Sequence, residues 1–169
     1  MRIGAFLFSA LVALLTHQIE AQRTIPFKLA SDDRTAVYWS DKWTVMGTVE
    51  GELSVAENLG QIHIKVDNGH LIAPRSQQTN VSIRPYLAVR TGKLFKPAIE
   101  STARLDVAKS LPAGTKTEIQ KHEFLLQFPQ STELSDMWLV FEIRFSCDQP
   151  GRGSYCTTYV HSRPDIFRR

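Results

Sequence analysis

Apolar residues in this chain recur at every second position, and no other feature constrains the fold as strongly. A period of two puts alternate side chains on opposite faces of an extended strand. The clearest run sets Leu139, Phe141, Ile143, Phe145 and Cys147 on one face, with Trp138, Val140, Glu142 and Arg144 on the other. Its apolar row is bulky and unbroken, which predicts a strand at the centre of a sheet.

The same alternation marks further strands at Trp43–Val49, Ile62–Val66, Val81–Val89, Ala103–Val107 and Phe124–Phe128, with two more at Thr35–Ser40 and Tyr155–Val160. Pro85 has no backbone N–H to give, so its strand is expected at an edge or with a bulge. Asn68-Gly69 separates Ile62–Val66 from His70–Ala73 and predicts a tight hairpin turn, because Asn-Gly tolerates the positive φ angles of such turns. Pro150-Gly151-Arg152-Gly153 separates the last two strands. The one helical candidate, Thr115–His122, is polar and predicts no more than a short surface turn. Short strands punctuated by turn signals roughly 8–12 residues apart indicate an all-β, single-domain antiparallel β-sandwich in preference to a barrel. The Cys…Trp…Cys spacing of immunoglobulin domains is absent, since both cysteines lie near the end of the chain.

The first residues have a different character. Arg2 is followed by the apolar run Ile3–Leu15, a short polar stretch and the small residue Ala21. That is the layout of a secretory signal peptide over residues 1–21, leaving residues 22–169 as the mature domain. The apolar run is shorter than the roughly 20 residues that span a bilayer. No later segment is apolar for long enough, because Glu142 and Arg144 interrupt the richest one. The expected product is secreted and extracellular, without a membrane span. Twenty Lys and Arg stand against 17 Asp and Glu, for a net charge of +3. The bases are spread along the chain, which does not make a nucleic-acid footprint.

Few residues suggest chemistry. In an exported chain, Cys147 and Cys156 are expected to form a disulfide that closes the C-terminal hairpin and stabilises it by about 2–3 kcal/mol. The loop so closed, together with the strand it enters, offers Arg152, Tyr155 and Tyr159 as a candidate binding loop, because Arg and Tyr combine contact area with polar reach. Asn80-Val81-Ser82 is an N-glycosylation sequon at the end of a polar stretch. His63, His70, His122 and His161 fall in no metal-ligand spacing, and His63 and His122 read as surface residues. Asp32, Asp33 and Asp41 lack the pattern of a calcium loop.

There is no nucleophile elbow, phosphate loop or dinucleotide fingerprint. Glu50-Gly51-Glu52 is the nearest local pair of carboxylates and reads more simply as a turn between strands. Trp39 and Trp43 are separated by Ser40-Asp41-Lys42, a turn-like stretch that breaks a shared face, so they read as core or rim residues. Arg168-Arg169 reads as a basic tail. The expectation is a secreted, non-enzymatic glycoprotein with no cofactor and no metal, acting by binding an extracellular protein, glycan or matrix partner. A secreted toxin or effector of venom or saliva type is the alternative, and a small hydrolase stands third.

Overall fold

A computed structural model of the chain describes residues 23–31, 45–92, 94–146, 155–163 and 165–168. The described residues are nearly all β. They form ten strands: β1 (Arg23–Ala30), β2 (Met46–Ala56), β3 (Gln61–Ile72), β4 (Gln78–Thr91), β5 (Leu94–Glu100), β6 (Leu105–Leu111), β7 (Lys116–Glu118), β8 (His122–Gln127), β9 (Trp138–Ser146) and β10 (Tyr155–His161). A single 3-10 turn, Glu57–Leu59, joins β2 to β3. All strand pairs are antiparallel and make two sheets. Sheet one runs β1-β2-β3, with β7 and β8 each pairing part of the outer edge of β3. Sheet two runs β10-β9-β4, with β5 and β6 each pairing part of the outer edge of β4. Neither sheet closes into a barrel among the described residues.

The alternation read in the sequence becomes the packing between the sheets. Ile25, Phe27 and Leu29 of β1, Leu53 of β2 and Ile62 and Ile64 of β3 share one core with Ile83 and Leu87 of β4 and Phe141, Ile143 and Phe145 of β9. Phe141 of sheet two lies 6.0 Å from Phe27 and 6.3 Å from Phe124 of sheet one, ring centre to ring centre. The arrangement is sandwich-like, as expected. Strand β9 is central, between β10 and β4, and its inward row is buried throughout. At one corner β3 continues into β4 while β6 continues into β7, so both segments pass between sheets side by side. A bridge between Ala73 and Ala113 and a 2.8 Å bond from Gly114 N–H to the Ala73 carbonyl join them.

Three expectations change, and a fourth, for Pro85, holds in one of its two alternatives. Asn68-Gly69 is not a hairpin turn, because β3 runs straight through it. The chain reverses instead at Gly60, whose φ of +60° closes the 3-10 turn. Asn68 and Gly69 lie where β3 bulges against β2, with Glu50 opposite Asn68 but Gly51 opposite Val66. Gly69 is required there by space, since a Cβ on it would sit 2.7 Å from the Thr48 carbonyl oxygen and 2.9 Å from Ile119. Glu50-Gly51-Glu52 is likewise no turn but the middle of β2. Pro85 lies in a central strand rather than at an edge, and that strand carries the bulges offered as the alternative, between Val81 and Ser82 against β6 and between Leu87 and Ala88 against β5. The Pro85 carbonyl accepts from Ser101 N–H on the side away from β9, so its nitrogen points the same way. That is the gap where β6, paired as far as Ile83, gives way to β5, paired from Tyr86, so the missing donor costs no ladder bond. Within Thr115–His122, expected as a short surface turn, residues 116–118 form β7 and His122 opens β8.

Strands β1 and β5 were not legible in advance. Each carries a proline, Pro26 or Pro97, and each lies on the outside of its sheet, where proline is tolerated. The expected strand Thr35–Ser40, the tryptophans Trp39 and Trp43, and Asp32, Asp33 and Asp41 lie outside the described residues. No described helix is long and apolar enough to cross a membrane.

Candidate functional site

The outward row of β9 organises the outer face of sheet two. Trp138, Val140, Glu142, Arg144 and Ser146 alternate with the buried core row. The register sets Ala88, Tyr86, Arg84 and Ser82 of β4 against the first four of these. On the other side it sets His161, Tyr159, Thr157 and Tyr155 of β10 against Val140 to Ser146. Tyr86, Ala88 and Val140 are buried even though they face away from the core. Phe95, Trp138 and Tyr159 cover them.

An aromatic group is therefore assembled from four strands. Phe95 meets Trp138 edge-on at 5.6 Å and Tyr159 at 6.2 Å, and Tyr159 meets Tyr86 at 6.5 Å. The His161 ring lies 4.8 Å from Phe95 and 5.3 Å from Trp138. The Arg90 guanidinium stands over Trp138 at 5.0 Å and over Phe95 at 5.6 Å, the geometry of a cation–π contact. Further along the face, Arg144 lies 3.9 Å above the Tyr155 ring, which is 49% exposed.

Charge is organised on the same face. Glu142 accepts from Arg84 and Arg104, each at 3.1 Å, and Arg84 also reaches Glu100 at 2.8 Å. Burial pulls the Arg84 guanidinium down, but its hydrogen bond to Glu142 and the charges of Glu142 and Glu100 outweigh that and leave it above its ordinary value. Burial, with the neighbouring Tyr159 and Glu142, holds the Tyr86 hydroxyl far above the usual phenol range, so it stays a neutral donor.

Of the residues singled out in the sequence, Tyr155 and Tyr159 share the outward side of β10, so they belong to the sheet face rather than to a loop. Arg152 and Cys147 lie outside the described residues. Cys156 stands opposite Phe145 and packs against the core. No free cysteine occurs among the described residues. Asn80 is exposed at a bulge of β4 with φ of +51°, and its Nδ2 donates to Ser146 Oγ at 3.0 Å. The sequon's Ser82 is buried and accepts from Arg104 at 3.2 Å.

His63 is exposed on sheet one, and His122 is half-buried with its ring 4.6 Å from Phe124. His70 bonds Thr48 Oγ1 at 2.9 Å. No group of three or more His, Cys, Asp or Glu is placed to hold a metal among the described residues. Glu50 is ion-paired with Lys28 at 2.7 Å, and Glu52 lies exposed on sheet one beside a shallow hollow of about 230 Å³ that also includes Glu123. His161, Arg90 and Phe95 were not picked out as site residues. His161 carried a signal, its outward parity with Tyr155 and Tyr159, and Arg90 shares the outward row of β4 with Tyr86 and Ala88, whereas Phe95 reaches the face on the unforeseen β5.

A cleft of about 590 Å³ adjoins this aromatic group, between β1 and the segment after β10. Lys28, Arg90, Trp138, His161, Arg163 and Asp165 line it, together with the backbone of β1. No family model, no curated protein and no solved structure matches the chain.

Proposed function

We propose that this chain is an exported, non-enzymatic protein that binds an extracellular partner through the outer face of sheet two. The observation that carries the reading is the Arg90–Trp138–Phe95–Tyr159–His161 array, continued along the sheet by Arg144 and Tyr155. Tyr, Trp and Arg dominate binding hot spots because they bring large, stiff contact area with a polar tip. Here they rest on a buried apolar patch and on the Glu142 charge network, so little side-chain freedom is left to lose on binding. The signal-peptide layout of residues 1–21 supports export. The Cys147–Cys156 bridge belongs to the same reading. Cys156 stands opposite Phe145, Cys147 follows Phe145 by two positions, and a bond between them would tie β9 to β10 beneath Tyr155.

The test is a screen of the secreted chain on protein and glycan arrays, followed by variants of the face. Tyr155→Ala with Tyr159→Ala is expected to weaken capture of any ligand found by tenfold or more with the β spectrum intact. Glu52→Ala with His63→Ala, on sheet one, should leave capture unchanged. Equal binding by both double variants would refute this face as the site.

A further inference from the structure

The geometry points to the cleft between β1 and the segment after β10 as a seat for an acidic saccharide, a short sugar chain bearing carboxylate or sulfate groups. The inference deepens the binding role proposed for the adjoining sheet face and rests on it. At about 590 Å³ the cleft falls inside the range of small-molecule sites, roughly 300–1,000 Å³.

Its charge selects an anion. Three bases, Lys28, Arg90 and Arg163, stand in the lining against one acid, Asp165. Lys28 is paired with Glu50 at 2.7 Å, but Arg90 and Arg163 make no ion pair among the described residues. Arg90 is also held in place. Its Nε donates to the Gly92 carbonyl at 3.0 Å and its plane lies over Trp138, which leaves the two terminal nitrogens for a planar oxyanion.

The remaining groups suit hydroxyls rather than a hydrocarbon tail. Ser31 N–H donates to the Gly47 carbonyl at 2.9 Å, which turns the odd-numbered residues of β1 toward β2. The N–H groups of Lys28 and Ala30 then point outward along the edge facing the cleft, while Pro26 has none to offer. His161 Nδ1 donates to the Ser162 carbonyl at 2.9 Å, so in the neutral ring its Nε2 is the acceptor, and that atom is buried and without a partner among the described residues. The Asp165 carboxylate adds a second acceptor. An acyl chain finds little here, because Ile25, Phe27 and Leu29 are only 7%, 6% and 4% exposed and already spend their apolar surface in the core. Trp138, partly exposed in the lining, offers an aromatic wall against which a sugar ring can rest.

The experiment is titration calorimetry of the secreted chain at low salt with three probes: a sulfated, uronate-containing tetrasaccharide, an uncharged tetrasaccharide of equal length, and inorganic sulfate. The charged sugar is expected to bind at least tenfold more tightly than either of the others. Arg90→Gln and Arg163→Gln should each weaken it about tenfold, while Lys109→Gln, an exposed base elsewhere on sheet two, should not. Both test arginines are exposed, so a preserved circular dichroism spectrum separates lost binding from lost folding. Trp138→Phe, which keeps an aromatic wall, should retain most of the affinity.

Equal binding of the charged and uncharged sugars would overturn the proposal. So would sulfate binding as tightly as the oligosaccharide, or a Lys109 effect equal to that of Arg90. If no sugar binds while the tyrosine variants still lose a protein ligand, the acidic-saccharide site is refuted and the binding face stands.

Discussion

Replacing Glu142 by Gln tests whether the outer face of sheet two is held rigid by charge. Glu142 has a side chain 13% exposed, and its two oxygens accept from Arg84 and Arg104 at 3.1 Å each. Gln keeps the shape and removes the charge. Arg84 then retains Glu100 at 2.8 Å, whereas among the described residues Arg104 retains only the Ser82 hydroxyl at 3.2 Å. Hydrogen bonds to a charged partner are worth about 1.5–3 kcal/mol each, so the pair sets an upper range of roughly 3–6 kcal/mol. The arginine side chains are 23% and 24% exposed, so water screens part of that. The amide oxygen still accepts one bond, and the expected loss is about 2–3 kcal/mol. For a domain stable by roughly 5–15 kcal/mol this is readily measured as a lower urea midpoint at unchanged slope. Combining Glu142→Gln with Arg104→Gln should show a coupling of about 1 kcal/mol or more, because both changes remove the same contact. A Glu142→Gln variant within about 0.5 kcal/mol of the parent would refute the argument and reduce the network to surface pairs.

Gly51→Ala should be among the most damaging small substitutions, because its Cβ would sit 1.9 Å from the Lys65 carbonyl oxygen, a backbone atom that moves only if β2 and β3 separate. A loss of at least about 2 kcal/mol is expected. Gly92→Ala, at φ of +62° with nothing within 4 Å, should lose only about 1 kcal/mol from the left-handed backbone. Equal thermal unfolding of the two variants would rule out the strand-contact argument. His70 is pulled below its ordinary value by burial and by the Lys116 charge. The unfolded chain therefore takes up the proton first as pH falls, so the His70 contribution is complete above about pH 6.5 and is lost as pH drops through the lower folded-state value. His70→Gln should flatten the fall in the urea midpoint between about pH 7.5 and 5, and an unchanged slope would contradict the assignment. Cys147→Ser with Cys156→Ser should lower stability by about 2–3 kcal/mol without abolishing folding, and peptide mapping without reductant should recover the two cysteines linked. Free thiols in the secreted chain would remove the clamp.

The faces of the strands were written in the sequence, because alternation is a local property: once β9 is extended, Phe141 and Glu142 must point opposite ways. Tyr155 and Tyr159 shared a side of β10 for the same reason, so that part of the site was legible. Which strands pair, and what each face then meets, depended on contacts distant in the chain. Asn68-Gly69 has the chemistry of a turn, yet the chain had already reversed at Gly60, and the register between β2 and β3 bulges at Asp67 and pairs Asn68 with Glu50 and Gly69 with Val49. Pro85 is acceptable in the middle of a sheet only because two different strands share the edge it faces. Val140 and Tyr86 are buried on the outward side because Phe95 and Trp138 close over them, and Phe95 arrives on a strand whose proline hid it. The all-β character and the inner core followed from local periodicity. The aromatic–arginine face and its cleft came from register and sheet packing, which bring Arg90, Phe95, Trp138 and His161 together from four strands.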